Sequence, residues 1–311
     1  MAVRRSMVAG VSALLALTVT TSCSSVKDPG SKPDANKPVQ TVAPTLSRVP
    51  VTAKTTYVAL GDSYAAGVKI PPLVADAPAG CSRSQANYAH LVAQRIGIVD
   101  FVDVTCSGAT TVDMAAPQKV AGSPPPQLDA LRADTGFVIL GIGGNDFGFT
   151  EVLRTCGEKA LNRSLSPCKN FFTADGHDEL ARRIEELGPR IAGTLDAIKR
   201  RAPTARILVV GYPSILPESG PVCPGDAPFA PGDIGYLRDL VPDINNVLAT
   251  RAKAAGAEYA DIYTPSLGHD VCRPVDTKWV EGADPAADAA PMHPNARGHQ
   301  GIAETILGTL D

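Results

Sequence analysis

The stretch TYVALGDSYAAG at residues 56–67 begins with an apolar run and turns polar at Gly61-Asp62-Ser63. A short apolar run bounded by turn residues is typical of a buried strand in a parallel sheet. Ser63 would then stand at the carboxyl end of that strand, where open α/β sheets bind their ligands. Because glycine, aspartate and serine also form ordinary turns, this stretch alone does not establish a site.

Apolar runs and helical patterns alternate through the rest of the chain. The predicted strands are 56–60, 99–104, 137–142, 205–210 and 257–262. The predicted helices are 88–96, 126–132, 178–201, 234–255 and 296–310. Such alternation indicates a parallel sheet covered by helices on both faces. We therefore predict a single α/β domain over residues 55–311.

Three further segments carry residue types that suit acyl transfer. Gly108 follows the second predicted strand in CSGAT, Asn145 follows the third in GIGGND, and His293 lies near the C-terminus in MHPN. With Ser63, this ordered set of Ser, Gly, Asn and His resembles the SGNH, or GDSL-type, hydrolase family over nearly all of residues 55–311. The resemblance implies a three-layer flavodoxin-like fold, in which a central five-stranded parallel sheet has the strand order 2-1-3-4-5.

The family resemblance also implies roles for these residues, and their chemistry agrees with it. A serine hydroxyl is a weak nucleophile at neutral pH and needs an adjacent base, for which we expect His293. The main-chain N–H groups of Ser63 and Gly108 and the side-chain amide of Asn145 are the expected oxyanion donors. Asn145 is preferred to Asp146 because an ionised carboxylate can only accept hydrogen bonds.

One position departs from the family pattern. The carboxylate that usually stands three residues before the histidine is replaced by Ala290. We expect the main-chain carbonyl of Ala290, or one close to it, to orient His293 in a Ser–His dyad, with Asp288 as the alternative carboxylate. The missing carboxylate leaves a second hypothesis open, that of a catalytically weak or inactive lipoprotein that binds acylated glycans or lipids. A carbohydrate deacetylase or a phospholipase is a further enzymatic alternative.

The N-terminus predicts export. Residues 1–22 have the basic, apolar and small-residue regions of a signal peptide. Cys23 resembles the lipid-acceptor cysteine of bacterial lipoproteins, although Thr20 stands where leucine is usual, so that lipidation and plain secretion both stay open. Residues 23–54 are rich in Ser, Thr and Pro, which indicates a flexible linker. We expect an extracytoplasmic protein, either a membrane lipoprotein or secreted.

Six cysteines remain once Cys23 is set aside, and an even number in an exported protein suggests disulfides. Loop lengths favour the pairs Cys81–Cys106, Cys156–Cys168 and Cys223–Cys272, among many possible. Secreted esterases that this chain resembles carry three bridges, which supports that number.

Composition and motifs exclude several classes of protein. The net charge of −3 gives no basic excess for a nucleic-acid surface. There is no dinucleotide fingerprint, P-loop or His-Glu-x-x-His motif, and the cysteines are too widely spaced for a zinc site. We therefore predict no cofactor, no metal and no nucleic-acid partner. The expected ligand is a small-molecule or lipid ester, with membrane contact only through a lipid anchor, and we expect a monomer.

Overall fold

The computed structural model describes residues 49–162 and 164–311. Five parallel strands are present, namely β1 (Tyr57–Gly61), β2 (Phe101–Asp103), β3 (Phe137–Gly141), β4 (Arg206–Val210) and β5 (Glu258–Ala260). They form one sheet in the order β2-β1-β3-β4-β5. The predicted α/β fold and strand order are therefore confirmed.

Helices follow most strands. They are α1 (Ser63–Ala66), α2 (Tyr88–Ile96), α3 (Gly144–Phe147), α4 (Phe149–Ala160), α5 (Pro167–Phe172), α6 (Glu179–Arg201), α7 (Ile234–Ala254), α8 (Tyr263–Ser266) and α9 (Ala296–Leu310). Among these described helices, none is long and apolar enough to cross a membrane.

The sheet is buried on both faces. On one face Tyr57 and Ala59 pack with the apolar sides of α2 and α9. On the other face Val58 and Leu60 pack with those of α6 and α7. Because successive side chains of a strand point to opposite faces, β1 and β3 at the centre of the sheet are apolar throughout. The strands β2, β4 and β5 each carry one charged residue at an end, namely Asp103, Arg206 and Glu258. The burial of both faces explains the continuous apolar runs in the sequence.

Several sequence-based expectations differ from the structure. The segment 126–132 is not an α-helix, since only a 3₁₀ turn forms at Gln127–Ala130. The Gln127 side chain accepts from the N–H of Gly61 at 2.8 Å and donates to its carbonyl at 2.9 Å, which holds the segment against the end of β1. The second strand is shorter than predicted, and Val99 is 91% exposed. Helices α4 and α5 lie where no element was predicted.

Three disulfides join the cysteine pairs that were expected from the sequence. They are Cys81–Cys106, Cys156–Cys168 and Cys223–Cys272. The second of these links α4 to α5, and the first links two loops at the carboxyl end of the sheet.

The predicted signal peptide (1–22), lipidation of Cys23 and most of the linker (23–54) lie outside the described residues. The last linker residues, 49–54, are described. Val51 packs against the core that β1 shares with α2, and the N–H of Thr52 donates to Oγ1 of Thr55 at 2.9 Å. Ordered packing thus begins a few residues before position 55.

Candidate active site

The turn after β1 presents Ser63. Asp62 caps α1, and its Oδ1 accepts from the N–H of Tyr64 at 2.9 Å. The N–H of Asp62 donates to the carbonyl of Gly141 at 2.9 Å, which ties the turn to the end of β3. A Cβ at Gly61 would lie 2.6 Å from that same carbonyl oxygen, so only glycine permits this close approach. Ser63 is therefore fixed at a defined point above the sheet.

His293 lies beside Ser63. Its Nε2 is 2.8 Å from the Ser63 Oγ, and its Nδ1 is 2.7 Å from the carbonyl oxygen of Pro291. A carbonyl only accepts, so Nδ1 carries the proton and Nε2 is free to accept from the serine hydroxyl. The pair thus has the tautomer that general-base chemistry requires.

A main-chain carbonyl close to Ala290 contacts the ring of His293, as expected, but it belongs to Pro291 and not to Ala290 itself. The carbonyl of Ala290 accepts from the main-chain N–H of His293 at 3.2 Å, so it closes the turn and does not contact the ring. The carbonyl of Pro291 takes the Nδ1 proton. Asp288 is exposed and makes no hydrogen bond to His293 among the described residues. The tight turn over 290–293 is what brings a carbonyl two residues earlier within reach of Nδ1.

The three residues predicted as oxyanion donors follow β1, β2 and β3 in the chain, at the carboxyl end of the parallel sheet. Gly108 is exposed and has a φ of +74°, and neither its N–H nor that of Ser63 donates a hydrogen bond within the described chain. The Nδ2 of Asn145 donates one hydrogen to the carbonyl of Ala109 at 2.9 Å. The second amide hydrogen remains, and Asn145 lines a small pocket together with Ser63. Three N–H donors are thus available at the end of the sheet.

The loop that carries Gly108 is held at both ends. Before it, the disulfide of Cys106 is reinforced by the N–H of Ser107, which donates to the carbonyl of Cys81 at 3.1 Å. After it, the carboxylate of Asp146 accepts from the N–H of Thr111 at 2.9 Å. Burial raises the pKa of Asp146, and the hydrogen bonds from Thr111 offset part of that rise. Asp146 therefore holds this loop through its hydrogen bonds with Thr111.

Tyr212 connects the serine turn to the asparagine helix. Its hydroxyl donates to Oδ2 of Asp62 at 2.6 Å and accepts from the N–H of Gly144 at 2.8 Å. Burial raises the pKa of Asp62 to about 7, although the hydrogen bonds from Tyr212 and Tyr64 oppose this. Sequence reasoning missed Tyr212. Its signal was its position two residues beyond β4, at the same edge of the sheet.

The surroundings of His293 lower its basicity. Burial lowers its pKa below the ordinary value of 6.5, and the nearby positive charge of Lys69 lowers it further. The hydrogen bond to the Pro291 carbonyl acts in the opposite direction. Because the net shift is downward, the imidazole is the neutral base over a wider range of pH.

The buried Glu281 links the segment 278–281 to the residues around His293. The Nζ of Lys278 lies 3.0 Å from Oε2 of Glu281, which is fully buried. Oε1 of Glu281 accepts from Nδ2 of Asn295 at 2.7 Å, and the N–H of Glu281 donates to the carbonyl of His293 at 3.0 Å. These bonds join the strand-like segment at 280–281 to the residues just before α9.

An apolar groove of ≈ 320 Å³ runs from His293 along α4. Its walls include Tyr64, Phe149, Leu153, Phe229 and Met292. The loop 213–233 contributes Phe229. A chain of apolar atoms entering this groove would end next to the Ser63 hydroxyl.

The other histidines lie elsewhere. His299 is fully buried and accepts from the N–H of Tyr88 at 3.1 Å, and burial lowers its pKa to about 3. His269 stacks on Trp279 with ring centroids 4.7 Å apart. His90 contacts Asn87, and His177 is exposed. Within the described chain, no cluster of three or more His, Cys, Asp or Glu side chains could hold a metal ion.

Comparison with known proteins identifies the family. Residues 59–300 match the GDSL-like lipase/acylhydrolase family. The chain is 38% identical over 258 residues to "Lipase 2" of Streptomyces coelicolor, covering 82% of this chain and 85% of that protein. It is 32% identical over 248 residues to "Esterase" of Streptomyces scabiei, covering 70% and 72%.

A solved structure agrees with the sequence comparison. The crystal structure of phospholipase A1 from Streptomyces albidoflavus superposes with a TM-score of 0.68 at 28% identity, covering 82% of this chain and 98% of that one. The fold, the arrangement of strand-end residues and these similarities agree with one another. The chain therefore belongs to the GDSL-like lipase/acylhydrolase family and is a carboxylic ester hydrolase.

Proposed function

We propose that this protein is an exported serine esterase or lipase that forms an acyl-enzyme on Ser63. The observation that carries the proposal is the 2.8 Å separation of the Ser63 Oγ and His293 Nε2, with the Nδ1 proton already engaged by Pro291. The second hypothesis, an inactive binding protein, was motivated by the missing carboxylate. The Pro291 carbonyl supplies the orienting acceptor, so that motive falls away.

The mechanism follows from this geometry. His293 takes the hydroxyl proton of Ser63 as the serine oxygen attacks the ester carbonyl carbon. The negative charge that develops on the carbonyl oxygen is stabilised by the N–H groups of Ser63 and Gly108 and by the Asn145 amide. The imidazolium then protonates the departing alcohol oxygen, which leaves an acyl-enzyme. A water molecule, deprotonated by His293, releases the carboxylic acid and restores the serine.

We assign the acyl chain of the substrate to the groove beside α4. Its apolar walls favour hydrocarbon, and it opens next to the reacting hydroxyl. Export is supported by the three disulfides, since such bonds persist in oxidising compartments. The predicted domain limits of 55–311, the signal peptide and a lipid anchor on Cys23 remain part of this proposal.

The test is covalent labelling combined with turnover. The purified protein should hydrolyse p-nitrophenyl esters and react with a fluorophosphonate at Ser63, located by peptide mass analysis. Ser63→Ala and His293→Ala should each lower kcat by roughly 10⁴–10⁶-fold. Asn145→Ala should lower it by about 10²–10³-fold. No turnover of esters of any chain length, together with no labelling of Ser63, would refute the proposal.

A further inference from the structure

The turn that carries His293 contains an unfavourable residue. Met292 has a φ of +59°, in the left-handed region that is unfavourable for a residue with a side chain. Such a conformation persists only where surrounding contacts impose it. Here it matters because the carbonyl that orients the imidazole belongs to Pro291, the residue just before Met292.

Tyr64 supplies a contact that fixes this turn. Its hydroxyl donates to the carbonyl oxygen of Met292, 228 positions later in the chain. Its ring packs against the ring of His293, with centroids 4.6 Å apart and planes tilted by 38°. One side chain therefore holds both the peptide that follows the orienting carbonyl and the face of the imidazole.

Tyr64 is itself held from the serine side. It directly follows Ser63, and its N–H donates to the Asp62 carboxylate at 2.9 Å. Its ring meets that of Tyr212 edge-on, with centroids 5.2 Å apart. Tyr212 donates to the other oxygen of the same carboxylate at 2.6 Å. Burial raises the pKa of Tyr64 above its ordinary value, so its hydroxyl stays a donor throughout the neutral range.

We propose that Tyr64 is a positioning residue that sets the distance between nucleophile and base by fastening the His293 turn to the Ser63 turn. This inference rests on the proposed function. In a triad a carboxylate would anchor the imidazole from behind. Here the acceptor is the main-chain carbonyl of Pro291, an exposed residue. Tyr64 fixes the position of the turn that carries this carbonyl, a role that a triad carboxylate would otherwise share.

The discriminating variant is Tyr64→Phe, which keeps the ring and removes the hydroxyl. The matched control is Tyr236→Phe, since the half-buried Tyr236 likewise donates from its hydroxyl, to Asp178 at 2.8 Å, far from the site. We expect Tyr64→Phe to lower kcat about tenfold, with KM within about twofold, because the loss falls on alignment and not on binding. Labelling of Ser63 by the fluorophosphonate should slow by the same factor, whereas Tyr236→Phe should leave both rates unchanged.

Two outcomes would overturn the inference. Full activity and full labelling rate in Tyr64→Phe would show that the hydroxyl is dispensable. A rise in KM with an unchanged labelling rate would make Tyr64 a wall of the groove instead. If the unaltered protein neither hydrolyses esters nor is labelled, the proposed function itself is refuted. If the unaltered protein is active and Tyr64→Phe matches it, only the inference about Tyr64 is refuted.

A measurement on the unaltered protein provides an independent test. In a crystal structure with the fluorophosphonate bonded to Ser63, the Tyr64 hydroxyl should remain within hydrogen-bond distance of the Met292 carbonyl. A rotated Tyr64 beside an unmoved His293 would refute the positioning role.

Discussion

The Nδ1 of His293 lies 2.7 Å from the carbonyl oxygen of Pro291, only two residues earlier in the chain. The acceptor that orients the base is thus built into the same turn as the base, and no distant acidic residue is needed. This arrangement separates the orientation of the ring from any titratable partner. It also limits which substitutions around the turn should affect activity.

Asp288→Ala should keep activity within about twofold of the unaltered protein. The residue is exposed and makes no hydrogen bond to His293 among the described residues. Loss of a true triad carboxylate costs about 10⁴ in turnover in a serine protease. The measurement is kcat/KM on one p-nitrophenyl ester, with His293→Ala as the inactive reference. A loss for Asp288→Ala that approaches the reference would assign the orienting role to Asp288 after all.

Activity should extend to lower pH than an ordinary histidine would allow. Only the neutral imidazole can take the serine proton, and the pKa of His293 lies below 6.5 because of burial and the charge of Lys69. The midpoint of the acid limb in the pH profile of kcat/KM should therefore lie below pH 6.5.

Lys69→Gln tests the cause of that shift. Removing the positive charge stabilises the imidazolium, so the pKa of His293 should rise and the acid limb should move to higher pH. Lys54→Gln is the control, because Lys54 is exposed before β1, at the opposite end of the strand from Ser63. An identical pH profile for both variants would show that Lys69 has no electrostatic influence on the base.

Gly157→Leu should narrow the acyl specificity. Gly157 lies on α4 in the wall of the groove, and a Cβ there would meet only the carbonyl oxygen of Pro228, at 3.9 Å. A Cβ therefore fits at this position without moving the backbone, and a leucine there would occupy part of the groove. The ratio of kcat/KM for p-nitrophenyl butyrate over decanoate should rise at least about tenfold, the range that a few methylene groups supply.

The matched control for that experiment is Gly193→Leu. Gly193 is exposed on α6, and a Cβ there would meet nothing within 4 Å. The substitution Gly193→Leu makes the same glycine-to-leucine change in a helix at a position that does not line the groove. Equal ratios in the two variants would mean that the acyl chain binds elsewhere.

Glu281→Ala should destabilise the protein strongly. It would leave the buried Lys278 with only Asp226, at 4.0 Å, in place of its partner at 3.0 Å, and it would remove one of the two acceptors of the Asn295 amide. Breaking one side of a buried pair typically costs about 3–5 kcal/mol in the free energy of unfolding, measured here with urea. Glu179→Ala, which breaks the surface pairs with Arg182 and Arg183, should change stability little. Equal losses in the free energy of unfolding for the two variants would show that the buried pair stabilises the protein no more than the surface pairs do.

The same carboxylate predicts how stability depends on pH. Burial alone would raise the pKa of Glu281, but hydrogen bonds from Asn295, Lys278 and the Ala286 N–H outweigh it and lower the value below 4.5. A depressed pKa in the folded state stabilises the protein above the unfolded pKa. That contribution should be lost as the pH falls below 4.5 toward the folded value, and Glu281→Ala should flatten this part of the curve.

The fold was predictable because its signal is local and repeated. Buried parallel strands must be apolar on both faces, so 56–60 and 137–142 could be recognised directly as strands. The α4–α5 region could not, because α5 has only six residues and is joined to α4 by a disulfide between positions 156 and 168. The segment at Gln127 carries a helical pattern, but side-chain bonds to Gly61 hold it in a single turn.

The candidate site could be proposed from the sequence because the family resemblance and the chemistry of acyl transfer point to the same residues. These are Ser63 as nucleophile, His293 as base and Asn145 as amide donor, and the structure brings the Ser63 and His293 side chains within 2.8 Å. Pro291 and Tyr64 act through a carbonyl oxygen and a contact spanning 228 positions, and neither leaves a pattern in the sequence. The roles of Pro291 and Tyr64 depend on the backbone conformation of the turn at 290–293, which is seen only in the folded structure.

The bridge between Cys81 and Cys106 lies directly before the loop that carries Gly108, and both sulfurs belong to fully buried residues. The cystine is therefore part of the scaffold beneath the reacting ester. Protein made in reducing cytosol would contain molecules whose Gly108 loop has lost its covalent anchor and keeps only the hydrogen bonds of Ser107 and Thr111. Specific activity would then depend on the fraction of reduced cysteines as well as on purity. Free sulfhydryl groups should therefore be titrated in each preparation whose rate is measured.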